Sequence, residues 1–104
     1  MENVAVKDSL VTCRSSQGVE IRGTLLRVTR YVAVFEIYNP SLVLQASEVL
    51  GEFRIIIHER AIYAGRAVVT TLVNAGTMLV CEVKLDESGF LLASLSPEED
   101  SAWL

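Results

Sequence analysis

Apolar and polar residues alternate along most of this chain with a period of two, the spacing that puts successive side chains on opposite faces of a β-strand. Residues 9–14 open the pattern, with Leu10, Thr12 and Arg14 set against Val11 and Cys13. Ser15-Ser16-Gln17-Gly18 interrupts it and predicts a turn. A longer run covers residues 19–30: Val19, Ile21, Gly23 and Leu25 share one face, Glu20, Arg22, Thr24 and Leu26 the other. Gly23 in mid-run predicts a bulge or bend. Residues 31–38 are β-branched and aromatic almost throughout, and Asn39-Pro40-Ser41 stops them.

The second half repeats the pattern. Residues 42–45 are a short strand candidate, and residues 46–50 suit one helical turn stopped by Gly51. Residues 52–58 put Phe53, Ile55 and Ile57 on one face, and residues 58–61 make a tight polar connection. The longest strand candidate is 62–73, with Gly65 as a second bend, and Asn74-Ala75-Gly76 is the clearest turn in the chain. Residues 77–85 return, with Met78, Val80, Glu82 and Lys84 against Leu79, Cys81, Val83 and Leu85, before Asp86-Glu87-Ser88-Gly89 closes the run. Residues 90–95 are a last strand candidate. The fold class expected is all-β and mainly antiparallel, a small barrel of six to seven strands with little helix. Closure would remove the strand edges that so apolar a chain tolerates poorly.

Composition sharpens this. The chain has 104 residues, 51% of them apolar, and a formal net charge of −4. That length suits one domain, expected over residues 1–95, with residues 96–104 as an acidic tail or linker start. The apolar surplus leaves surface for a protein partner, an adjacent domain of the same chain or a homodimer contact. The acidic balance argues against nucleic acid as a partner. No apolar run approaches the roughly 20 residues of a membrane span, and residues 1–8 lack the apolar centre of a signal peptide. No membrane contact and a cytoplasmic location are therefore expected. Cys13 and Cys81, flanked by apolar and β-branched residues, read as reduced, buried thiols.

The search for chemistry returns little. His58 is the single histidine, at a strand end beside Glu59, and reads as an exposed turn residue rather than a catalytic base. Two cysteines and one histidine cannot close a zinc site. The acids are scattered or gathered near the end, and no phosphate-cradling glycine loop occurs. Neither catalysis nor a cofactor is expected. Arg27, Arg30 and Tyr31 are the ligand-binding candidates, because guanidinium forks and a stackable ring hold phosphates and bases; the ordinary alternative is solubilising charge at a strand edge.

Three stretches resemble the PilZ domain, a small β-barrel module of bacterial signalling proteins. They are Val19-Glu20-Ile21-Arg22-Gly23-Thr24-Leu25-Leu26, Gly51-Glu52-Phe53-Arg54-Ile55-Ile56-Ile57, and the hairpin from Ala64-Gly65-Arg66-Ala67-Val68-Val69 through Asn74-Ala75-Gly76 to Val80-Cys81-Glu82-Val83. The family holds cyclic diguanylate with R-x-x-x-R and D/N-x-S-x-x-G motifs. Here no two arginines are four apart, Arg27-Val28-Thr29-Arg30-Tyr31-Val32 has arginine for the acid and valine for the glycine, and Asn39-Pro40-Ser41 is followed by Leu44 where glycine belongs. The resemblance therefore implies a divergent, non-catalytic regulatory or interaction module. The alternative is a cyclic dinucleotide receptor with a non-standard arginine site. The acidic end resembles regions that precede methyltransferase-like domains, which implies the N-terminal part of a larger bacterial protein.

Overall fold

The computed structural model describes residues 6–39 and 42–91. Six antiparallel strands close into a barrel: β1 (Ser9–Arg14), β2 (Glu20–Val28), β3 (Val32–Ile37), β4 (Val49–Ile57), β5 (Arg60–Asn74) and β6 (Leu79–Leu85), in the order β1-β2-β3-β6-β5-β4. β1 closes the ring by pairing with both β2 and β4. The all-β, antiparallel expectation holds, with six strands. A single 3-10 turn, Glu87–Gly89, is the only helix among the described residues.

Alternation places the core. Val11 and Cys13, Ile21 and Leu25, Ala33, Phe35 and Ile37, Phe53 and Ile55, and Cys81 and Val83 all point inward and are buried. Edge-to-face ring contacts run from Phe35 to Phe53 (centroids 5.5 Å apart), to Tyr63 (6.0 Å) and to Phe90 (5.0 Å), the arrangement ring quadrupoles favour. Cross-strand register is fixed because a one-residue slip would turn this set out to solvent.

Three expectations need correction. Gly23 is not a bulge: β1 and β2 pair in step through it, and the β2–β3 register shifts instead between Leu25 and Arg27. Gly23 answers a different need, since a Cβ there would lie 2.5 Å from the Glu36 carbonyl oxygen. Residues 42–45 form no strand, and residues 46–50 no helical turn; Ala46 and Ser47 make a tight turn and β4 begins at Val49. Leu44 tucks into the core there and Ser47 N–H donates to the Val69 carbonyl, so tertiary contacts outweigh the local preference of residues 46–50. Of the last strand candidate, Phe90 makes one bridge to Tyr63; residues 92–95 and the acidic tail lie outside the described residues.

The barrel has two dissimilar ends. The upper end carries the β1–β2, β3–β4 and β5–β6 connections. The lower end carries the β2–β3 and β4–β5 turns, residues 6–8 and the segment after β6.

Candidate functional site

Arg27, Arg30 and Tyr31 all sit at the lower end, around the β2–β3 turn. The register shift after Leu25 turns Val28 inward and leaves Arg27 exposed opposite Val34. Thr29 builds the turn: its N–H donates to the Val32 carbonyl (2.8 Å), and its hydroxyl accepts from Tyr31 N–H (3.3 Å) and Val32 N–H (3.2 Å). That is the local hydrogen bonding by which threonine shapes turns. Arg30 and Tyr31 ride on the tip. The Tyr31 carbonyl accepts from Leu85 N–H at 2.7 Å while its ring is exposed. Among the described residues no hydrogen bond or ion pair joins the three side chains. They are neighbours on one turn rather than a formed pocket.

A groove of about 310 Å³ lies at the upper end, lined by Glu20, Ile21, Arg22, Ile37, Tyr38, Asn39 and Leu42. It forms where the start of β2 passes the end of β3. Arg22 is held loosely by Glu20, 4.0 Å away and exposed. Tyr38 donates its hydroxyl to Glu36 Oε1. That hydrogen bond, then partial burial and the adjacent carboxylate charge, raises the Tyr38 phenol above the usual tyrosine value. Glu36 is buried although it sits on the outward side of β3, where Tyr38 folds back over it. The sequence did not join these residues into a groove, because they meet only when β2 and β3 pair across their hairpin. The one local signal was Glu36 two residues before Tyr38, a spacing that puts both on one strand face.

The two thiols and the Tyr63 hydroxyl are built into the fold. Burial first, and then the nearby Cys81 thiol, pushes Cys13 up to about 12; burial, Glu48 and Glu82 push Cys81 up to about 12. Both are free, buried thiols, as expected, and at neutral pH neither offers a thiolate. His58 is an exposed turn residue whose Nδ1 lies 3.4 Å from Asp8. Tyr63 is fully buried; its hydroxyl donates to the Arg66 carbonyl and accepts from Asp86 N–H, which employs both of its capacities in the fold. No cluster of three or more metal-ligating side chains occurs among the described residues.

What the outer wall offers instead is apolar surface. Val32, Lys84, Val68 and Val49 are paired in turn across β3, β6, β5 and β4, one lateral row. Val49 is 45% and Val68 36% exposed. No helix among the described residues is long and apolar enough to cross a membrane. No protein-family model matches the chain, and no curated protein matches it significantly.

Proposed function

We propose that this chain is a non-catalytic, PilZ-like regulatory module that binds a protein partner or an adjacent domain of its own chain, as the N-terminal part of a larger cytoplasmic bacterial protein. The observation that carries the reading is the Val49–Val68 pair, two exposed valines directly opposed across β4 and β5 and bordered by Lys84. Single exposed apolar residues are ordinary, but directly paired ones join into a shared apolar surface, and such surfaces mark contacts. The closed antiparallel barrel supports the family resemblance, and the two buried thiols suit a reducing compartment. The folded chain should enhance the fluorescence of an apolar dye. The double variant Val49→Lys/Val68→Glu, which sets opposite charges face to face and places the glutamate beside Lys84, should lose that signal and keep its melting temperature. A native chain that leaves the dye dark refutes the reading.

A second reading rests on Arg27 and Arg30, whose guanidinium groups are exposed and have no acidic partner among the described residues. It makes the chain a cyclic dinucleotide receptor with Tyr31 as the stacking ring. Calorimetric titration with cyclic diguanylate should then give heat that Arg27→Ala/Arg30→Ala abolishes; no heat at high micromolar ligand retires the idea.

A further inference from the structure

β5 outruns its neighbour. Its last ladder pair with β4 is Val68 with Val49. The β3–β4 loop then substitutes for a strand once, with Ser47 N–H donating to the Val69 carbonyl (2.7 Å) and Val69 N–H to the Glu48 carbonyl (2.9 Å). Beyond that, residues 71–74 are paired with β6 alone. Elsewhere the six-stranded ladder closes on itself.

The hydrogen-bond phase of this edge follows from its turn. Ala75 N–H donates to the Met78 carbonyl at 2.9 Å, so Ala75 faces β6. Antiparallel alternation then turns Asn74 away from β6, Val73 towards it and Leu72 away. Val69 also faces away, as its bonds to the loop show, and the shift between Val69 and Thr71 absorbs the odd residue. Leu72 and Asn74 therefore present N–H and C=O groups along the same side, and no other described segment meets them. Asn74 Oδ1 is engaged with Gly76 N–H (2.9 Å), so the side chain does not occupy the edge.

Natural sheet edges are usually guarded by charge, proline or a covering segment. Here the sequence from Ala67 to Cys81 contains no charged residue and no proline. We propose that the open edge of β5 pairs antiparallel with the same edge of a second copy, about a two-fold axis through Val73. Leu72 of each copy then faces Asn74 of the other, and the two pairs exchange four backbone hydrogen bonds. Both edges carry their donors and acceptors at the same two positions, so the surface is self-complementary, as an isologous dimer requires. Val73, 52% exposed in the single chain, meets its own copy across the axis as β-branched cross-strand neighbours do. This pairing uses the upper hairpin and does not depend on the partner-binding reading of the valine pair.

Sedimentation equilibrium up to millimolar concentration, with engineered cysteines, tests it. The wild-type chain should associate to a dimer. Val73→Lys, which sets two like charges face to face on an exposed position, should be monomeric with an unchanged melting temperature. Val73→Cys should form a disulfide-linked dimer under oxidised glutathione, since directly opposed residues of this phase lie about 4.5 Å apart at Cα, within disulfide reach. Tyr31→Cys, 56% exposed on the β2–β3 turn at the opposite end of the barrel, should not, and the native thiols are buried. A wild-type monomer at millimolar concentration, a Val73→Lys dimer, or equal cross-linking of the two cysteine variants overturns the proposal. So does a monomer whose Leu72 and Asn74 amides exchange slowly, because another segment would then be covering the edge.

Discussion

The two ends of the barrel are held by different forces. The lower end is closed by contact packing: Phe90 bridges to Tyr63, their rings meet at 79°, and Gly89 lies flat against the Tyr63 ring. At the upper end, besides Leu44 and the backbone bonds of the β3–β4 loop to Val69, one carboxylate ties the connections together. Glu48 accepts from Ser16 N–H (3.0 Å), Ser16 Oγ–H (2.8 Å) and Gln45 N–H (3.1 Å), joining the β1–β2 and β3–β4 connections in partly solvated surroundings. Interdigitated apolar contacts leave no spare surface and tolerate no added atom. Polar ties at the surface are weaker and leave neighbouring groups uncovered. The groove and the open edge of β5 both lie at the polar-tied end, while the exposed arginines project from a turn outside the packed end's core.

The difference can be broken most severely at Gly89. A Cβ there would sit 2.6 Å from Tyr63 ring carbons, and the ring is fixed by its contacts with Phe53 and Phe90. Gly89→Ala should cost about 3 kcal/mol, the upper range of overpacking, read as a lowered denaturation midpoint at constant slope. A cost near zero would mean that the lower end is not tightly packed.

Glu48→Ala should cost about 1 kcal/mol, a typical net value for partly solvated hydrogen bonds, and should speed amide exchange at Ser16 and Gln45 while leaving the lower end alone. Its pH dependence sharpens the contrast. Burial raises the Glu48 carboxyl, but the Ser16 and Gln45 donors outweigh that and leave it below its ordinary value of 4.5. A folded-state value below the unfolded one means that the stabilisation is present above pH 4.5 and is lost as pH falls through the folded-state value. The gap between wild type and Glu48→Ala should therefore close in acid; a gap independent of pH would locate the effect elsewhere.

The lower end also stores strain at the β4–β5 turn, where His58 and Glu59 have φ of 52° and 65°. Two left-handed residues between strands are the geometry that glycine and asparagine serve best. Glu59→Gly should raise stability by about 1 kcal/mol, since a side chain in that region costs roughly that much; an unchanged melting temperature would argue against it. The smallest effect is spectroscopic. Glu36→Gln should bring the raised Tyr38 phenol back toward the ordinary tyrosine value, followed by carbon NMR of the ring, with little change in stability because the glutamine amide has the same shape and its oxygen still accepts from Tyr38.

The inward positions of the strands were legible in sequence because period-two alternation is a local property. Ile21 and Leu25, Phe53 and Ile55, and the Leu79–Cys81–Val83–Leu85 face all turned inward as the alternation required. The turn at Asn74-Ala75-Gly76 was equally legible, with Gly76 at φ 93°. The candidate sites were far less so. Arg27, Arg30 and Tyr31 were visible as neighbours in sequence, and the fold leaves them neighbours on one turn. The groove of Arg22 and Tyr38 lies across the β2–β3 hairpin pairing, whose register no single strand shows. Gly89 carries no sequence mark of the ring it lies against, and residues 42–50 follow Val69 and the core rather than their own preference.

By itself the sequence determined the strand class and the inward set, since each depends on spacing along one strand. Only the tertiary structure decided which strands adjoin, where the ladder shifts register and how far β5 runs past β4. Those outcomes depend on contacts between residues far apart in the chain, and an open edge exists only relative to the neighbour that fails to reach it.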